Sequence, residues 1–217
     1  MTLFTRRSFL TVAAALPAAR AFGAPAEELY LPSTAADRSD LFLPGAAAPG
    51  LSASPYLLAD IDQLHGIVEG SGDCRIRIVF EFSCPRSPEL YRRIRPMLSR
   101  ARYAWMPVPP LVRTPGQSGP GTVPADAPAA ALFSPAASPA TLDEVFAGKP
   151  AQSTDTKAAT RQAILFKRKI GPELYVETNR PFVTPTLVYR GRDGETRIIR
   201  GAPDLGALRT IVASAQP

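Results

Sequence analysis

Three stretches of the chain together predict an α/β domain. Residues 76–82 read I-R-I-V-F-E-F, a β-branched and aromatic run with the composition of a buried strand. A cysteine, Cys84, follows almost at once, and then E-L-Y-R-R-I-R-P-M-L at 89–98. There Leu90, Ile94, Met97 and Leu98 fall on one helical face. Nearer the C-terminus, Thr186 to Tyr189 and Thr196 to Ile199 flank the turn R-G-R-D-G as the arms of a β-hairpin. Asp204 then caps a closing helix whose inner face is marked by Leu205, Leu208 and Ile211.

A chain of 217 residues, 45% apolar, suits one domain of moderate size with accessory segments. The first 24 residues read as an export signal: T-R-R-S-F-L-T, the apolar run Val12 to Pro17, then the small-residue stretch A-A-R-A-F-G-A-P-A. Arg6-Arg7 ahead of Ser8-Phe9-Leu10 resembles the twin-arginine signal, which a receptor reads as an address. The apolar run is too short and too rich in alanine to span a bilayer. The expected location is therefore the periplasm, with cleavage after Ala21, Gly23 or Ala26 left open. Removing residues 1–24 takes three arginines and no acids, which lowers the formal charge from +6 to +3. So mild a charge argues against nucleic acid or an anionic membrane as partner. Residues 25–60 include L-F-L-P-G-A-A-A-P-G and are expected to be a flexible N-terminal segment, with the domain proper at 61–215.

Export sets the chemistry of the two cysteines, because disulfides persist in an oxidising compartment. Cys74 and Cys84 nevertheless are not expected to pair. The ten residues from one to the other read as strand, which separates them by roughly 30 Å, whereas a disulfide needs Cα atoms within about 7 Å. Cys74 reads as a small residue at a strand edge, after the turn G-S-G-D. Cys84 stands between strand and helix, where unpaired backbone N–H groups and the helix dipole favour thiolate over thiol, with Arg86 nearby. Two starts for the helix fit the sequence. It begins at Cys84, or Ser87-Pro88-Glu89 act as cap, first residue and acidic first turn, which leaves Cys84 on the loop before it.

The order strand, cysteine, helix, variable region, T-P-T strand, hairpin partner and C-terminal helix resembles the thioredoxin fold. Within it the chain is similar to the catalytic domains of periplasmic thiol–disulfide interchange proteins of the DsbC/DsbG family. The resemblance is carried by V-F-E-F-S-C-P-R-S at 79–87, R-Y-A-W-M-P-V at 102–108, T-P-T-L-V-Y at 184–189 and G-A-P-D-L at 201–205. It implies a thioredoxin-like fold with an inserted helical subdomain, placed at about 108–180. It implies Cys84 as the exposed nucleophile and Thr184-Pro185 as the cis-proline loop lying against it and pairing with a substrate strand. Pro85, Arg86, Val183 and Thr184 would contact the substrate, and Glu81 would match an acidic position near the motif. The partners implied are client proteins with cysteines, and an envelope redox protein or small thiol. No cofactor and no metal is expected.

The chain departs from that pattern in ways that change the chemistry. Ser87 stands where the second cysteine of a C-x-x-C would be, so a mixed disulfide formed at Cys84 cannot be resolved internally. A single thiol suits isomerisation, or reduction of sulfenic acids, and does not suit net disulfide formation. Ser87 is also placed to hydrogen-bond the thiolate. The N-terminal part is too short for the family's separate dimerisation domain. Within the insertion, P-V-P-P-L-V-R-T-P-G-Q-S-G-P-G-T-V-P reads as an extended surface loop. Three helical patterns follow, at 127–133, 138–147 and 155–169, and Lys167-Arg168-Lys169 read as a solvated helix end.

Other chemistries fit less well. His65 is the one histidine, and with two distant cysteines it makes no zinc or copper site and no hydrolase triad. F-S-C-P also resembles the peroxidatic stretch of peroxiredoxins, but Glu81 occupies the position where that family has threonine. Three readings follow: a single-thiol oxidoreductase or disulfide isomerase, a non-catalytic thioredoxin-fold binding module of the cell envelope, and a thiol peroxidase.

Overall fold

The structure is a computed structural model and describes residues 50–108, 128–149, 156–178 and 183–217. The expected signal sequence, the proline-rich stretch at 109–127 and most of residues 25–60 lie outside the described residues.

Six strands form one sheet in the order β1-β6-β5-β3-β4-β2. They are β1 (Leu51–Ala53), β2 (Ile67–Glu69), β3 (Cys74–Glu81), β4 (Ala101–Val108), β5 (Thr186–Arg190) and β6 (Thr196–Arg200). The expected strand at 76–82 is β3. Its β-branched run lies at the centre of the sheet, with Ile76, Ile78, Val79 and Phe80 fully buried. It pairs in parallel with β4 through helix α2 (Arg86–Ile94), and antiparallel with β5 of the β5–β6 hairpin. A parallel strand–helix–strand unit joined to an antiparallel hairpin and a closing helix, α6 (Leu205–Ser214), is the thioredoxin-like arrangement. The hairpin turn uses Gly194 at φ +81°, where a side chain would be strained.

Alternate residues of β3 serve two cores. Ile76, Ile78 and Phe80 join Tyr103, Trp105, Leu187 and Tyr189 on one face, under α2 and α6. Val79, Ala104, Met106, Val188 and Ile198 lie on the other, under Leu57, Leu58 and Ile61 of α1 (Tyr56–Ile61). Trp105 is fully buried and meets Phe80, Tyr91 and Phe146 with ring centroids 5.5, 5.3 and 5.8 Å away.

The insertion contributes a 3₁₀ turn (Pro128–Phe133), α3 (Pro139–Phe146), α4 (Thr156–Leu165), a π turn (Phe166–Ile170) and α5 (Gly171–Thr178). It is packed into the domain on both sides. Leu132, Phe133 and Leu142 belong to the first core, and Phe166, Ile170 and Leu174 to the second. Ser138 opens α3 with the expected Pro139, as part of a capping box with Thr141.

Three details differ from the sequence expectation. The fold starts near residue 51 rather than 61, because β1 completes the sheet against β6 and α1 covers its face with three buried aliphatic residues. Leu205 is exposed, and Ala207 takes its place on the inner side of α6 with Leu208 and Ile211, since the N-terminal turn points past the core. Lys167-Arg168-Lys169 are not at a helix end. They form a π turn between two helices, and Lys169 pairs with Asp60 of α1.

Candidate functional site

The end of β3 and the start of α2 place Cys84. The chain leaves the strand at Glu81 and turns so that the Cys84 N–H donates to the Glu81 carbonyl at 3.2 Å. Helix α2 then begins at Arg86, with Pro85 in the capping position and no side-chain cap. Cys84 therefore sits on the loop just ahead of the helix. The helix starts earlier than the Ser87-cap alternative, and Pro88 fits as its third residue, where a backbone N–H would lack an intrahelical partner anyway. The Ser87 N–H closes the first turn onto the Cys84 carbonyl at 3.1 Å.

Across a hundred residues of sequence, the loop before β5 comes up against this turn. The Thr184–Pro185 peptide is cis. The Cys84 thiol donates to the Thr184 carbonyl, with Sγ 3.2 Å from the oxygen. The neighbouring carbonyls are also engaged by the protein: Val183 accepts from Thr186 Oγ1 at 2.6 Å, and Pro185 accepts from the Gly201 N–H at 2.8 Å. Four of the residues singled out from sequence, Cys84, Val183, Thr184 and Pro185, thus meet at one end of the sheet. Pro85 is exposed on its surface and Arg86 half-buried beside it.

Two expectations change. Cys84 is 2% exposed rather than open, flanked by exposed Ser83 and Pro85. The cause is that the loop at 183–185, itself buried, lies over the sulfur. Ser87 is fully buried and does not bond the sulfur. Its hydroxyl donates to the Glu81 carbonyl at 3.3 Å, which fastens α2 to the end of β3. The Glu81 main chain, a double acceptor here, is the part of the site that side-chain motifs do not reveal.

Cys74 opens β3 at the far end and is unpaired, as is Cys84. Its thiol contacts the Arg100 carbonyl at 3.6 Å, and burial pushes its ionisation upward, with Asp73 adding to that. His65 lies away from Cys84, on the connection between α1 and β2. Burial lowers its pKa, partly offset by a hydrogen bond to the Ser134 backbone. Among the described residues no group of three His, Cys, Asp or Glu side chains is placed to hold a metal ion.

No protein-family model and no curated protein matches the chain. Solved structures do. A disulfide interchange protein from Neisseria gonorrhoeae is 18% identical with a TM-score of 0.48, the match covering 70% of this chain and 95% of that one. A periplasmic thioredoxin-like protein from Salmonella enterica serovar Typhimurium is 13% identical, TM-score 0.42, covering 74% and 95%. The thiol-disulfide exchange protein alpha-DsbA2 from Wolbachia pipientis is 14% identical, TM-score 0.41, covering 73% and 91%.

Proposed function

We propose that the protein is an exported, periplasmic thiol oxidoreductase or disulfide isomerase that works through the single nucleophile Cys84, on the pattern of the DsbC/DsbG family. The observation that carries the reading is the 3.2 Å contact between the Cys84 sulfur and the carbonyl of Thr184, the residue before Pro185. It joins a thiol to a buried backbone loop at the end of the central strand, with the exposed residues Ser83 and Pro85 on either side of the cysteine.

The chemistry runs in two steps. Cys84 loses its proton and attacks one sulfur of a client disulfide. The client S–S bond breaks, a Cys84–client disulfide forms, and the second client sulfur leaves as thiolate. That thiolate, or another thiol, then attacks the mixed disulfide, makes a new S–S bond and releases the Cys84 thiolate. When the released thiolate partner is the client's own, the client is rearranged with no net oxidation. When a client cysteine arrives as a sulfenic acid, attack by the thiolate expels hydroxide and an external thiol completes the reduction. Proton loss also frees the Thr184 oxygen, which until then accepts from the thiol. A carbonyl in that state can take a client N–H.

The test is capture of covalent complexes. The purified protein is mixed with a scrambled disulfide-bonded protein, quenched with acid and run without reductant. The expected result is a reductant-sensitive adduct, absent in Cys84→Ala and unchanged in Cys74→Ala. An adduct that survives Cys84→Ala contradicts the reading.

The 2% exposure of Cys84 favours a second reading, a non-catalytic module that binds extended polypeptide. Under that reading no adduct forms, and Cys84 resists a thiol reagent until the protein is unfolded.

A further inference from the structure

We propose that a row of arginines at the opposite end of the sheet from Cys84 is a binding site for a small phosphate-class anion. Arg75 on β3 is paired in register with Arg102 on β4. The β3–β5 register, Ile76 against Tyr189, sets Arg190 beside Arg75 on its other side. Three adjacent strands therefore carry arginine in one row. Arg77, two residues along β3, faces the same way, and all four line a cleft of about 430 Å³.

Directly opposed like charges on a sheet destabilise it, so such a row calls for counter-charge. The protein supplies only part of it. Asp62 is held by Arg77 through a fork of 3.0 and 2.7 Å, and its remaining reach to Arg75 is 3.6 Å. Asp73 lines the cleft as well. Arg102 spends its hydrogen bonds on the carbonyls of Gly72 and Asp73, and Arg190 on the carbonyl of Gly194. Among the described residues, no carboxylate lies within 4.0 Å of Arg102 or Arg190. Pro217, the last residue, lines the cleft as well, so four guanidinium groups face the carboxylates of Asp62, Asp73 and the chain end, and positive charge is still in excess.

The ligand class follows from the guanidinium groups and from shape. Guanidinium forks match the oxygens of phosphate and carboxylate. A phosphate group near neutral pH is anionic and offers three acceptor oxygens, which suits a cleft with several arginines along one wall. The cleft is sized for a small molecule. It stands about 20 Å along β3 from the turn that holds Cys84, so ligand binding there leaves the thiol uncovered.

The experiment follows thermal unfolding of the purified chain while inorganic phosphate is added, against chloride at equal ionic strength. Phosphate is expected to raise the midpoint and chloride not. In Arg75→Gln/Arg190→Gln, the phosphate concentration needed for the same rise should increase about tenfold or more, the loss expected for charge-assisted hydrogen bonds. Without phosphate that variant is expected to be at least as stable as the parent, because the repulsion is relieved. Arg102→Gln gives a single-site check should the double variant fail to fold. An equal response to chloride and phosphate overturns the proposal, as does an unchanged phosphate response in both variants. Retention on phosphatidylglycerol vesicles with no response to free phosphate also overturns it, assigning the row to a lipid surface.

Discussion

At the scale of single residues, the candidate site turns on what Ser87 is doing. Its buried hydroxyl bonds a backbone carbonyl rather than the thiol, so it acts as a fastener of α2. Residues three apart at a helix start are within disulfide reach, and Ser87→Cys should convert the site to a closing dithiol. The variant is expected to oxidise internally in air, to lose persistent client adducts, and to lose about 1 kcal/mol of stability from the missing hydrogen bond when reduced. Unchanged adducts, followed on non-reducing gels, contradict this. Glu69 offers a pH test at the same scale. Its carboxylate accepts from Trp105 Nε1 at 2.8 Å and lies 3.4 Å from Arg95, yet burial is the larger influence and raises its pKa above the usual 4.5. A raised carboxyl pKa means the folded state holds the proton more tightly than the unfolded chain. Stability therefore falls as pH rises through and above 4.5. Glu69→Gln keeps an acceptor for Trp105. It should match or exceed the parent at pH 7 in denaturant melts, with the difference vanishing in acid. A deficit at pH 7 that shrinks in acid would show that Arg95 dominates. The Cys84 position was legible because a strand, a thiol and a helix are adjacent in sequence. The Ser87 contact was not, because its partner is a main-chain oxygen that no side-chain pattern marks.

At the scale of elements, one amide adds polar ties to the apolar packing of the insertion. Gln162 of α4 donates to the carbonyls of His65 and Pro107 at 2.9 and 2.6 Å, and accepts from the His65 N–H at 2.8 Å. It ties α4 both to the entry of β2 and to the end of β4. Gln162→Ala removes three hydrogen bonds and leaves buried backbone groups unpaired, for an expected loss of about 2–4 kcal/mol. Equilibrium denaturation measures it, and a loss below about 0.5 kcal/mol, the range of a neutral surface change, contradicts the role. Helices α3 and α4 were readable from Ser138-Pro139 and from the pattern at 155–169, because such signals are local, whereas α5 (Gly171–Thr178) was not. The seating of the insertion on both faces of the sheet was not readable either, because Gln162 and its partners are 97 and 55 residues apart. The part played by residues 51–60 was hidden for a related reason. A three-residue strand such as β1 has too few positions to show a period, and its pairing with β6 is decided by the far end of the chain.

At the scale of the whole molecule, the central sheet and the insertion share one aromatic cluster. Trp105 on β4 touches Phe80 on β3, Tyr91 on α2 and Phe146 on α3. As the one tryptophan in the chain, it reports on all of them. Fluorescence and far-ultraviolet circular dichroism should give coincident unfolding midpoints, as one cooperative unit requires. A fluorescence transition that precedes loss of secondary structure would show that the insertion detaches first. The order of elements predicted the architecture well because the hairpin and the strand–helix junction each have local signatures. The R-I-R alternation at 75–77 was read only as strand. Its meaning depends on Arg102 and Arg190 falling in register beside it, which is a property of the assembled sheet. The same holds for Cys84 and Thr184, whose meeting gives the site its chemistry. The most direct measurement of that chemistry is mass spectrometry of the native protein after exposure to oxidised glutathione. The account predicts a single glutathione adduct, located on Cys84 and not on Cys74, that persists until a reducing thiol is added. No adduct in the native protein, with modification of Cys84 appearing only after unfolding, would contradict it.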